Sequence, residues 1–219
     1  MNMGALIAIP VVVTKRWLAQ SLAEMGTFEA AIAAGRQAVH AAETRDHPYS
    51  LANACNALGI VMLRRGRFAE AMSLLERTVE VSREFGCREL MGPVQPLIAN
   101  AYAGAGRRAD ACATLDASRE SLSPAPNYQA RIGEAALAAG ALPQARRHAE
   151  AALEFSRRQT ARGEEAWSLY LIGEINTAKG QGRWRLQKIT TAKASCWPRF
   201  STCVHSSLTA TLAWASSTG

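Results

Sequence analysis

One spacing of small residues recurs along this chain and limits the folds that it can adopt. Within residues 57–80, the pair Leu58-Gly59 is followed by Gly66 and then by Ala71. The same order returns with the small residue at positions 19, 99, 133 and 173, although the copy at 173 lacks the alanine, and successive copies lie 40, 40, 34 and 40 residues apart. A fixed period of this length predicts stacked helix pairs, one pair per period.

Each residue type in this spacing has a physical reason. The small residue lets the first helix of a pair approach its neighbours closely, and the alanine lets the second helix pack back on the first. The glycine accepts the left-handed backbone that closes a helix at low cost.

Pro10 is predicted to lie just outside the first helix, and Ser50 to cap the third helix after Pro48. The predicted helices span residues 12–25, 28–43, 50–64, 68–85, 94–105, 108–121, 127–139, 142–159 and 163–179.

The repeat spacing also divides the chain. Residues 1–11 are a lead-in, residues 12–180 form the repeat array of about four and a half helix pairs, and residues 181–219 form an irregular basic tail. The tail contains 12 Ser and Thr, three of the five tryptophans and no Asp or Glu, and it does not continue the helical period. One hypothesis is a disordered basic tail. The other is a frameshifted sixth repeat, because a shifted codon frame can restore a charge-balanced amphipathic helix.

The repeats resemble the tetratricopeptide repeat (TPR) family. The residues that fit its pattern are Leu58, Gly59, Ala71 and Leu75 in one copy and Tyr102, Ala111 and Leu115 in the next. Departures are Met62 in place of the usual tyrosine, and Pro93 and Pro96 near the start of a first helix. The resemblance implies an all-α solenoid, a right-handed superhelix of tandem helix-turn-helix repeats. It also implies a protein-interaction or regulatory scaffold that binds a peptide, a partner helix or a neighbouring domain in its concave groove.

A narrower resemblance concerns the runs at residues 57–85 and 132–175. They look like the C-terminal TPR region of large bacterial signalling proteins, in which an adenylate cyclase or DNA-binding domain precedes a P-loop ATPase. This sequence has no G-x-x-x-x-G-K-[ST] loop to cradle phosphates. The resemblance therefore implies an alternative function: a truncated or frameshifted sensor segment of such a regulator, with little independent function.

The charge distribution argues against a nucleic-acid partner, and the length of the N-terminal apolar run argues against a membrane span. Residues 1–180 carry 20 Lys and Arg against all 18 Asp and Glu, so most of the net charge of +7 comes from the tail. Arg64, Arg65 and Arg67 are interpreted as solvated turn residues, and no nucleic-acid partner is expected, although binding through the basic tail is an alternative that steep salt dependence would reveal. The apolar run at residues 3–13 is too short to span a bilayer.

No residues suggest catalysis or a cofactor. The five cysteines have no metal-binding spacing, and their number argues against a disulfide framework, so a cytoplasmic location is expected. Cys55 and Cys112 are predicted to be apolar fillers on helix faces. His148 and Glu150 are two residues apart and point to different helix faces, so they form no metal pair. We expect no enzymatic activity, no cofactor and no metal.

A binding groove is the stronger hypothesis. In the TPR family, first-helix residues with spacing i, i+3 and i+7 line the concave face. In this sequence these positions are Asn53, Asn56, Ile60, Asn100, Asn127, Arg131, Glu134, Trp167, Tyr170 and Glu174. Asparagines can bond a peptide backbone, Arg131 can pair with a carboxylate, and Trp167 with Tyr170 can form an aromatic anchor.

An array without a polar capping helix also predicts self-association through its last repeat.

Overall fold

The structure, a computed structural model, describes residues 8–87, 90–117 and 126–178. Within these ranges the chain forms nine α-helices and no strand. The helices are α1 (Pro10–Glu24), α2 (Phe28–Thr44), α3 (Pro48–Arg64), α4 (Phe68–Glu84), α5 (Met91–Gly104), α6 (Arg108–Ala117), α7 (Pro126–Ala139), α8 (Leu142–Arg158) and α9 (Arg162–Ala178). All nine match helices predicted from the sequence. The predicted tail at 181–219, the glycine at 180 and most of the break at 121–127 lie outside the described residues.

The helices pack in two layers that follow chain order. The first helices α1, α3, α5 and α7 each pack on the second helix of their own pair and on the next first helix, so α1, α3, α5, α7 and α9 form one continuous layer. The second helices α2, α4, α6 and α8 form the other layer. The shorter interval of 34 residues does not interrupt the stack, because α5 still packs directly on α7. The predicted all-α solenoid of helix pairs is confirmed.

The turns inside each pair use the predicted glycines. Gly66 has a φ of +77°, in the left-handed region that glycine enters without a Cβ penalty. Its N–H donates to the Leu63 carbonyl, and the next N–H, of Arg67, donates to the Met62 carbonyl, which together close α3. Gly26, Gly106 and Gly140 have the same backbone conformation at the equivalent turns.

Small anchor residues bring the helices close together. A Cβ added at Gly59 would lie 2.8 Å from Leu75 Cδ2, and Leu75 is fully buried. A Cβ added at Gly133 would lie 2.8 Å from Leu171 Cδ2 on α9 and 3.4 Å from the Ala145 carbonyl oxygen on α8. The side chains of neighbouring helices therefore occupy the space that these glycines leave open.

Two predicted helix starts were wrong by a few residues. Pro10 and Pro48 are the first residues of α1 and α3 rather than residues outside them, because the first turn of a helix needs no donor at that position. The cap of α3 is His47, whose Nδ1 accepts from the Ser50 N–H at 3.2 Å. The Ser50 hydroxyl instead accepts from the Ile9 N–H at 2.8 Å and so ties the start of α1 to α3.

The two cysteines that were predicted to be apolar fillers differ in burial, and His148 lies in the interior. Cys55 is fully buried in α3, and burial raises the pKa of its thiol to about 11, so the thiol is held in its unreactive protonated form. Cys112 is only half-buried, at the edge of an apolar cluster. His148 is buried on α8, with Nδ1 2.7 Å from Gln129 Oε1. In the described ranges, no three His, Cys, Asp or Glu residues are grouped to hold a metal ion.

The close approach at Gly133 predicts the effect of one substitution. Gly133→Val places branched carbons against Leu171 and the α8 backbone, and such overpacking costs about 1–3 kcal/mol of unfolding free energy. The matched control is Ala138→Val, at an exposed position of the same helix. Helix propensity alone predicts the opposite order, because glycine is a poorer helix former than alanine. Urea denaturation of both variants measures the difference, and a smaller loss for Gly133→Val would contradict the packing argument.

Candidate functional site

All ten predicted groove residues lie on first helices, in the layer formed by α3, α5, α7 and α9. Their positions are Asn53, Asn56 and Ile60 on α3, Asn100 on α5, Asn127, Arg131 and Glu134 on α7, and Trp167, Tyr170 and Glu174 on α9. The side chains fall into two groups that differ in burial and contacts. Those of α3 and α5 are mostly packed or only partly accessible, whereas four of those on α7 and α9 meet around one charged cluster.

Two of the predicted residues are part of the core. Ile60 is 7% exposed and packs with an apolar cluster that includes Leu75 and Val94. Asn53 is 4% exposed, and its Nδ2 donates to the Tyr49 carbonyl at 2.9 Å while its Oδ1 accepts from the Arg16 guanidinium. Both side chains are therefore engaged within the fold, and they are withdrawn from the candidate surface.

The other asparagines differ from one another. Asn56 and Asn100 are half-buried, and Asn127 is exposed. The Oδ1 atom of Asn56 is buried and has no hydrogen-bond partner among the described residues. An amide oxygen in this condition carries a desolvation cost, so Asn56 is the asparagine of this group that would gain most from an added donor.

The centre of the site is a cross-repeat group that we call the Arg64 cluster: Glu24, Arg64, Glu134 and Trp167. Arg64 Nε donates to Glu24 Oε1 at 3.1 Å, and Arg64 Nη1 lies 3.7 Å from Glu134 Oε1. The guanidinium carbon lies 4.5 Å from the centroid of the Trp167 ring. One side chain at the end of α3 thus contacts residues of α1, α7 and α9.

Repeat register relates Arg64 to one residue on each neighbouring first helix. Glu24, Arg64 and Gly104 are each 40 residues apart and occupy the same position in three successive first helices. At this position α5 has a glycine, and the ring of Phe68 fills the place of its missing side chain. The Arg64 guanidinium, in contrast, extends to Glu134 on α7 and Trp167 on α9.

Electrostatics in the cluster are set by burial. The side chain of Glu134 is 14% exposed, and burial raises the pKa of its carboxyl. Arg64, Arg131 and a hydrogen bond from Trp167 act in the opposite direction on that pKa. Burial lowers the pKa of Arg131, which Glu134 raises and Arg64 lowers further by repulsion. Two guanidinium groups therefore share one largely buried carboxylate.

An exposed aromatic side chain adjoins this cluster. The rings of Trp167 and Tyr170 have centroids 5.7 Å apart and planes tilted by 36°. Tyr170 is 52% exposed, and its hydroxyl pKa is raised by burial and by the carboxylates of Glu174 and Glu134. The tyrosine thus presents an apolar ring and a hydroxyl to solvent, beside an acidic residue that is itself exposed.

Glu24 and Arg64 were missed by the sequence reasoning, which treated Arg64 as a solvated turn residue. That interpretation fits Arg65, whose guanidinium pairs with Glu29 at 2.6 Å, and Arg67, which pairs locally with Glu70. A signal was present in the register, because Glu24 and Arg64 are opposite charges exactly one period apart on adjacent first helices. Only the tertiary packing of the helices, however, places Glu134 and Trp167 within reach.

Comparison with solved structures supports the fold. A kinesin light chain-like protein of Podosopora anserina with nearly identical TPR-like repeats superimposes with a TM-score of 0.50 and 18% sequence identity, covering 89% of this chain and 99% of that one. A glutamine-to-methionine variant of that protein gives a TM-score of 0.53 and 19% identity, covering 86% of this chain and 96% of that one. At this identity the likeness concerns the fold alone: this chain has the fold of TPR-like repeat proteins.

Sequence comparisons add no relative. No protein-family model matches the chain, and no curated protein sequence matches it. Within the part of the chain that the structure describes, no helix has the length and apolar character needed to cross a bilayer.

The raised pKa of Glu134 predicts a pH dependence of stability. Above the ordinary value of 4.5, the unfolded state releases this proton while the folded state still holds it. Below pH 4.5 the protonated Glu134 carboxyl makes its full contribution to the free energy of unfolding. That contribution is lost as the pH rises through the pKa of Glu134 in the folded state. The difference in unfolding free energy between wild type and Glu134→Gln should therefore fall with rising pH in urea titrations.

The same comparison, with and without Glu134→Gln, is also made in an Arg64→Met background. Loss of the Arg64 charge removes an attraction that lowers the Glu134 pKa, so the fall should extend to higher pH in that background. A wild-type advantage that grows with pH would instead mean that the guanidinium groups outweigh burial.

Proposed function

We propose that this chain is a non-catalytic protein-interaction scaffold that binds a peptide or a partner helix against its layer of first helices. The binding surface is the one around the Arg64 cluster, with Tyr170 and Glu174 as its exposed part. The single observation that carries this proposal is the convergence of charged and aromatic side chains from four first helices on one site, beside a half-exposed tyrosine.

The chemistry of the site suits a polypeptide ligand. Interface hot spots are enriched in Trp, Tyr and Arg, which offer large contact area together with hydrogen-bonding groups. Trp167 is held rigidly, because its ring stacks under Arg64 and its indole donates to Glu134. A rigid aromatic beside an exposed tyrosine loses little conformational entropy when a partner binds. The half-buried Asn56 and Asn100, in the same helix layer, add amide groups that can bond a peptide backbone.

Several finer points remain predictions from the sequence. These are the cytoplasmic location, the origin in a bacterial signalling protein and self-association through the last repeat. The alternative that the chain is a sensor segment of a larger regulator is compatible with the same surface, because a neighbouring domain could take the place of a separate partner.

Alanine substitution of Tyr170 tests the proposed surface. We consider peptides selected from a random phage-displayed library against the full chain. They should bind Tyr170→Ala at least about tenfold more weakly than they bind wild type, as expected for an aromatic anchor. The matched control is Phe85→Ala, because Phe85 is 55% exposed, compared with 52% for Tyr170, but lies at the end of α4 in the layer of second helices. Affinities are measured by isothermal titration calorimetry.

The pattern across the two variants decides the result. Loss of affinity in Tyr170→Ala with unchanged affinity in Phe85→Ala supports the first-helix surface. Equal losses, or a loss only in Phe85→Ala, would move the binding site away from α9 and overturn the assignment.

A further inference from the structure

We propose that Glu24, Glu134 and Trp167 form a receptor site for an arginine side chain of the partner, and that Arg64 occupies this site until the partner displaces it. This inference rests on the proposed function and deepens it by naming the chemical class of the ligand. The partner is a polypeptide segment with an accessible arginine.

The contacts of Arg64 show what the site accepts. The guanidinium lies over the face of Trp167, with 4.5 Å from its carbon to the ring centroid, and it meets carboxylates from two other helices. A planar cation with hydrogen-bond donors in its plane satisfies an aromatic face and carboxylates at the same time. A lysine ammonium is a compact point charge and matches this arrangement less well. The three receptor groups therefore select for guanidinium.

The Arg64 side chain is not buried in the core, so another guanidinium can replace it in the site. Its side chain is 32% exposed, and that of Glu24 is 45% exposed, so solvent reaches both. Ion pairs with this much exposure contribute little to stability. The buried carboxylate of Glu134 also keeps a second cation, Arg131, one turn away on its own helix. Departure of Arg64 removes its repulsion with Arg131, whose charge continues to act on the Glu134 carboxyl.

The surroundings of the site provide room for a partner chain. Tyr170 lies next to Trp167, with 5.7 Å between ring centroids, and is 52% exposed. Glu174 follows one turn later on α9 and is exposed. A segment whose arginine enters the receptor site would place its neighbouring residues along this open edge, where the tyrosine ring can pack on them and Glu174 can pair with a further basic group.

Removal of the internal arginine tests the receptor site directly. The probe is N-acetyl-arginine amide, titrated into the full-length Arg64→Ala protein while the Trp167 indole N–H is followed by ¹⁵N NMR and assigned with Trp167→Phe. N-acetyl-citrulline amide is the neutral control of the same shape. Arg65→Ala is the matched control protein, because Arg65 is the adjacent residue but pairs with Glu29 outside the cluster.

The proposal predicts a specific pattern of binding. Arg64→Ala should bind the arginine probe at least about tenfold more tightly than wild type and Arg65→Ala, because no internal guanidinium competes. The citrulline probe should not shift the indole signal. Addition of Glu134→Gln to Arg64→Ala should abolish the gain. Circular dichroism confirms that each variant is folded before titration.

Two results would overturn the receptor site. One is a folded Arg64→Ala protein that gives no saturable shift with the arginine probe, and the other is an equal response to arginine and citrulline. These results are distinct from failure of the proposed function, which is measured with library peptides and the Tyr170→Ala variant. Peptides that require Tyr170 but contain no arginine would contradict the ligand class and leave the binding surface standing.

Discussion

Close helix contact at small residues is the constraint on which the whole structure depends. At Gly59 and Gly133 a neighbouring leucine side chain fills the space that a Cβ would need. At Gly59 the leucine belongs to the second helix of the same pair, and at Gly133 it belongs to the first helix of the next pair, so close contacts of this kind act both within a pair and between pairs. A larger residue at Gly59 would disturb the packing of α3 on α4, and a larger residue at Gly133 would disturb the packing of α7 on α8 and α9.

The stacking turns distant positions of the sequence into one surface. Glu24 belongs to α1 and Trp167 to α9, yet both contact Arg64. Glu24 occupies the repeat position of Arg64 on the neighbouring first helix, whereas Trp167 occupies a different repeat position on α9. At the equivalent position of α5, Gly104 has no side chain, and the ring of Phe68 lies where its Cβ would be.

The charged cluster carries a cost that the rest of the fold must offset. Burial disfavours the charged forms of Glu134 and Arg131, as the opposite shifts of their pKa values show. Buried ion pairs are often no more stabilising than apolar residues of the same size. Charges that persist in such a place therefore point to a role beyond stability, which agrees with a recognition site inside an otherwise alanine-rich array.

The sequence by itself determined the helices, their pairing and the turns. The spacing of Gly66 after Gly59 is local, so it could be read without knowledge of the fold, and helix bounds followed to within a few residues. Of the ten groove residues, Arg131, Glu134, Trp167 and Tyr170 gathered at one site, whereas Asn53 and Ile60 became part of the core. Tertiary structure alone decided burial and the role of Arg64, because both depend on contacts between residues that are far apart in the sequence. Such contacts depend on how all the helix pairs pack together, and no local pattern encodes them.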